Sequence, residues 1–145
     1  MSNRLSIQAT EPAAFNPMMG LERYLGESDI EPKLRQLIKV RASMLNNCAY
    51  CIQMHTDEAL KLNESLHRLM ALSAWTESPL FNERERAVLQ LTDEVTLISD
   101  EGVTDETYNL CLDILGEQVL SQCIMQVVTI NAWNRIAVAT KMTHE

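Results

Sequence analysis

Apolar residues recur along this chain at spacings of three and four, and no stretch alternates apolar and polar residues between hairpin turns. Leu34, Leu37, Ile38, Arg41 and Leu45 form one stripe behind Pro32, which suits a first helical position. That predicts a helix ending at Asn46-Asn47, with Asn47 as the N-cap of a following helix over 48–62. Asn63 is expected to cap a helix over 64–76, with Leu66, Leu69, Met70 and Ala74 inward and Pro79 beyond it. Ala87, Leu91, Glu94 and Val95 predict a helix over 83–98 started by Asn82, and Thr104 opens another that Gly116 ends near Leu115. Residues 117–141 read as a long final helix. Val119, Leu120, Ile124, Val127, Val128 and Ile130 spread over more than one of its faces, which calls for several neighbours or another subunit. The N-terminal residues 1–20, with Pro12, Pro17 and Gly20, read as an irregular arm, and Leu21–Gly26 as one short turn. The expectation is an all-α domain of about six to seven helices over residues 1–145.

Composition narrows the function. With 145 residues and 46% hydrophobic content, the chain can bury a proper core. Its formal charge is -8, and the excess lies in residues 73–145, with no Lys or Arg between Arg86 and Arg135. Such a surface repels phosphate backbones, so no nucleic-acid partner is expected. No apolar run reaches the ~20 residues of a membrane span, and the N-terminus lacks a basic region followed by an apolar one. No membrane association is expected, and the reading is cytoplasmic.

Candidate chemistry concentrates in Cys48-Ala49-Tyr50-Cys51-Ile52-Gln53-Met54-His55. On a helix turning about 100° per residue, Cys51 lies about 60° from Cys48, and His55 falls between them. Two thiols and an imidazole on one face supply a nucleophile, a resolving partner and a proton carrier. Two other arrangements use the same residues: a pair of buried core cysteines beside a bonded histidine, or part of a zinc site. Zinc needs a second ligand pair; Cys111 and Cys123 are 12 apart and form no second C-x-x-C, and His67 is the only other nearby imidazole. No metal is therefore assigned, and Cys111 and Cys123 are read as core. Which sulfur reacts stays open at this level. A first-turn position favours the Cys48 thiolate, whereas the four-residue spacing to His55 favours proton transfer from Cys51.

Arg41, Ser43, Asn46 and Cys48 form an R-x-S-x-x-N-x-C lead-in to C-x-x-C-x-x-x-H, and this combination resembles the alkylhydroperoxidase D / carboxymuconolactone decarboxylase family. The resemblance continues through Ala74-Trp75, Pro79-Leu80-Phe81, Glu83-Arg84-Glu85-Arg86-Ala87 and Ile130-Asn131-Ala132-Trp133-Asn134-Arg135, covering roughly residues 30–140 and pointing to a single-repeat peroxidase-related branch. It implies an all-helical fold assembled as trimers or hexamers, and cofactor-free reduction of hydroperoxides at the expense of a dithiol reductant. It also implies the roles: Cys51 attacks the peroxide, Cys48 resolves the product as a disulfide, and His55 helps deprotonate the thiol. Two positions depart from the pattern. Gln36 stands where the peroxidase members carry a relay glutamate, and Tyr50 where they carry a histidine. A slower or rearranged relay is expected, and a non-enzymatic thiol sensor or binding oligomer is the rival reading. Arg84, Glu85 and Arg86 are read as a solvated face or an intersubunit ion pair. Trp133, Asn134 and Arg135 are read as packing and interface.

Overall fold

In the computed structural model, which describes residues 4–144, a central helix organises the rest. Seven α-helices follow one another among the described residues: α1 (Ile7–Thr10), α2 (Pro12–Gly26), α3 (Pro32–Leu45), α4 (Ala49–Lys61), α5 (Leu66–Ala71), α6 (Glu83–Thr96) and α7 (Asp105–Thr140). A 3₁₀ segment, Leu72–Glu77, continues α5. α3 packs against α4, α6 and α7, and its Leu37, Ile38, Val40 and Ala42 are fully buried. Leu72, Val88, Leu89, Leu91, Cys123 and Val127 close the same core from the neighbouring helices. The predicted helices over 32–45, 83–98 and 105–115 are present. Gly116 breaks α7 where expected, with a φ of 79° that an L side chain rarely adopts.

Several expectations are corrected. The N-terminal arm is helical: α1 is capped by Ser6, and Pro12 sits at the first position of α2, where its missing N–H costs nothing. Residues 1–3 of that expected arm lie outside the described residues. What holds α2, despite Pro17 in its interior, is tertiary: Phe15 packs edge-on to Trp133 at 5.3 Å, and Glu22 Oε1 accepts the Trp133 indole N–H at 2.9 Å. Next, Ser65 rather than Asn63 caps α5; Leu66, Met70 and Ala74 face outward, and the buried apolar residues of the segment are Leu69, as expected, with Leu72 and Trp75. The helix shortens to one and a half turns and tightens, which rotates its apolar stripe.

Third, Glu85 and Arg86 bind within the chain rather than forming a solvated face. Glu85 completes a capping box with Asn82 and accepts from Arg68 at 2.8 Å. Arg86 lies over the Trp75 ring and donates to the carbonyls of Trp75, Thr76 and Ser78. Arg84 pairs with Glu31 at 3.3 Å. No helix among the described residues is long and apolar enough to cross a membrane.

Candidate functional site

The lead-in residues explain why the cysteines sit where they do. Arg41 grips Asp93 through two bonds of 2.7 and 3.1 Å and donates to the Leu72 carbonyl, while Trp75 donates its indole N–H to the same carboxylate. Ser43, fully buried, donates to the Lys39 carbonyl and accepts from Asn134 at 3.0 Å. Asn46 donates to Asn131 and Asn134, each at 2.9 Å. The end of α3 is thus pinned to α6 and α7 by polar groups that satisfy one another, as buried polar groups must. Asn134 is therefore a packing residue, as expected from sequence.

Asn47 does not cap α4. Its φ of 53° closes α3 in the left-handed turn that asparagine tolerates better than most residues, and the Cys48 N–H bonds back to the Ser43 carbonyl. That turn makes Cys48 itself the N-cap. Its sulfur accepts the Cys51 backbone N–H at 3.3 Å, at the end of α4 where exposed N–H groups favour negative charge.

Cys48 and Cys51 are joined by a disulfide, their Cα atoms 5.3 Å apart and both side chains buried. They lie apart from the main core, in a small cluster with Tyr50 and Ala137 of α7. Only Cys51 of the two opens onto a cavity of about 360 Å³. His55 is beside it in the wall, and the apolar sides come from Phe15, Met19, Met54, Trp133 and Met142. Glu22, Lys39 and Glu58 supply the polar edge, with Lys39 and Glu22 paired at 3.9 Å. Larger, more open depressions over α6 and α7 contain no cysteine or histidine, so the thiol-bearing cavity is the candidate site.

Of the predicted site residues, Cys48, Cys51 and His55 come together as the helical spacing required. Gln36 is buried on α3, and its Oε1 has no hydrogen-bond partner. His55 Nδ1 instead meets Glu58 Oε2 at 2.9 Å, one turn further along α4. That hydrogen bond, more than any other influence, holds the Glu58 carboxyl below its ordinary value of 4.5. Tyr50 stacks on the His144 ring at 4.2 Å, and its carbonyl accepts the His144 Nε2–H at 2.7 Å, so the C-terminal residues cross beside the C-x-x-C. Sequence reasoning passed over Glu58 and the aromatic and thioether walls. The i, i+3 spacing from His55 was a signal for Glu58; nothing local marked Phe15 or Met19. Trp133, expected as packing, both packs on Phe15 and walls the cavity.

Cys111 and Cys123 are buried, as expected of core residues. Desolvation pushes their thiols up to about 11 and about 12 respectively, which keeps both protonated and unreactive at neutral pH.

A helical fold with a buried C-x-x-C pair at the start of one helix and a histidine one turn on places the chain in a definable class. The chain belongs to the carboxymuconolactone decarboxylase family, whose model matches residues 11–94. It is 37% identical over 139 residues to the uncharacterized protein YdfG of Bacillus subtilis (strain 168), an alignment covering 96% of this chain and 95% of that one. Its structure matches ATU0492 of Agrobacterium tumefaciens, a protein of unknown function with a suggested role in antioxidant defence as AhpD. The TM-score is 0.96 at 34% identity, over 99% of both chains. The fold is also that of the debrominase Bmp8, solved in complex with 2,3,4-tribromopyrrole, with a TM-score of 0.84 at 18% identity over 95% of this chain and 74% of that one.

Proposed function

We propose that the protein is a thiol-dependent peroxidase that reduces organic hydroperoxides at the Cys48–Cys51 pair. The observation that carries this reading is that Cys51 and His55 share the wall of one apolar cavity, while Cys48 lies behind, bonded to Cys51. In the reduced protein, His55 takes the Cys51 proton and the thiolate attacks the outer peroxide oxygen. The O–O bond breaks, Cys51 becomes a sulfenic acid, and the alkoxide leaves as the alcohol after protonation. The Cys48 thiol then displaces water from that sulfur and closes the disulfide. A dithiol of small or extended shape attacks Cys51 through the cavity, expels Cys48 as a thiolate and leaves as its own disulfide. The Cys51 N–H, directed at the Cys48 sulfur, stabilises that leaving group.

Steady-state consumption of cumene hydroperoxide with excess dithiothreitol tests the reading. Wild-type protein turns over many times, and Cys51→Ser and Cys48→Ser each lose turnover; equal rates in all three would sink it. A single round of oxidation without turnover would favour a redox sensor instead.

We also propose a homo-oligomer, supported by Tyr108, Leu110, Val128 and Val138, which α7 leaves exposed. Mass in solution by light scattering is expected at a multiple of 16.5 kDa; a monomer at micromolar concentration contradicts it.

A further inference from the structure

Cys51, His55 and Glu58 occupy one face of α4, at successive steps of four and three residues. Neutral imidazole donates from one ring nitrogen and accepts at the other, whereas a carboxylate only accepts. A 2.9 Å contact between His55 Nδ1 and Glu58 Oε2 therefore places the ring proton on Nδ1. Nε2 is left as the nitrogen able to take a proton from a thiol. The alternative orienting group, Gln36, leaves its Oε1 unbonded and holds no part of the ring. The polar surroundings of the pair are few. Lys39 of α3, Glu22 of α2, Gln8 of α1 and Tyr50 of α4 line the same cavity, Gln36 and Lys39 both act on Glu58, and Trp133 and Ala137 of α7 bring no charge.

We propose that Glu58 is the positioning residue of the site: it fixes the His55 tautomer and stabilises the imidazolium formed when Cys51 gives up its proton. A single helix thus carries nucleophile, base and orienting carboxylate. Glu58 touches no reacting atom and acts only through His55. With the carboxylate in place, the proton passes from Cys51 Sγ to His55 Nε2. With an amide in its place the imidazolium loses its counter-charge, and the Cys51 thiol holds its proton to higher pH.

The inference rests on the proposed role of His55 as the base for Cys51, and its test needs no peroxide. Reduced protein is alkylated with iodoacetamide across pH 5–10, and modification of Cys51 is followed by peptide mass mapping. In Glu58→Gln the pH of half-maximal alkylation is expected to rise by about one unit, with a rate at neutral pH lowered about tenfold. Glu58→Asp, which keeps a carboxylate, is expected to lie nearer wild type. Superimposable wild-type and E58Q profiles would overturn the proposal. Glu58 is 42% exposed at its side chain, so the substitution leaves the fold standing. If this shift separates E58Q from wild type while the wild type never consumes hydroperoxide, peroxidase function is refuted and the role of Glu58 stands.

Discussion

At the scale of single residues, the site is decided by what each group can donate or accept. Cys48 and Cys51 differ although both are buried thiols of one motif. Cys48 caps a helix and accepts an N–H, and Cys51 opens to the cavity. Spacing alone made these two assignments compete, because both the helix terminus and His55 activate a thiol. The cavity separates them by access. Two family departures acquire physical content. Gln36 is buried with an unbonded oxygen, while the carboxylate at His55 comes from Glu58. Tyr50 stacks on His144 and also lines the cavity beside Cys51. The sequence carried Glu58 at a legible spacing, but an i, i+3 glutamate is also the commonest sort of solvated helix charge, so spacing could not single it out.

At the scale of elements, the helices over 32–45 and 83–96 were legible because Pro32 at a first position, the Asn82 cap and apolar periodicity agreed, whereas the helix over 49–61 was expected with Asn47 as its cap and has Cys48 instead. The N-terminal helix was not legible. Pro12, Pro17 and Gly20 argued against it locally, and its stability comes from Phe15 and Glu22 meeting Trp133, a residue more than a hundred positions away. No local pattern records such a contact. The consequence reaches function, since α2 builds one wall of the cavity. The lead-in R-x-S-x-x-N-x-C is likewise a structural device: Arg41, Ser43 and Asn46 fix the end of α3 against α6 and α7, and so fix where α4 begins.

At the scale of the whole molecule, four cysteines divide into two pairs of opposite character. The outer pair forms the disulfide beside the cavity, and the inner pair belongs to the core. The inner pair makes stability depend on alkaline pH with a definite sign. In the unfolded chain both thiols ionise near 9.0, whereas the folded chain keeps its protons until about 11 for Cys111 and about 12 for Cys123. Above pH 9 the folded state therefore binds more protons than the unfolded one, and stability falls as pH rises. This contribution is fully present below pH 9 and is gone above pH 12. The urea midpoint is expected to drop between pH 8 and pH 10.5, and to drop less in a Cys111→Ala, Cys123→Ala double variant. Identical pH dependence in the two proteins would contradict the assignment.

The division of labour between Cys51 and Cys48 is the centre of the account, and trapping the first oxidised sulfur tests it most directly. Reduced Cys48→Ser protein is treated with one equivalent of cumene hydroperoxide in the presence of dimedone, which captures sulfenic acids, and the adduct is located by mass mapping. The account predicts one adduct per chain, on Cys51, and none on Cys111 or Cys123. An unmodified Cys51, with a sulfenic adduct appearing on Cys48 in the matching Cys51→Ser protein, would contradict it.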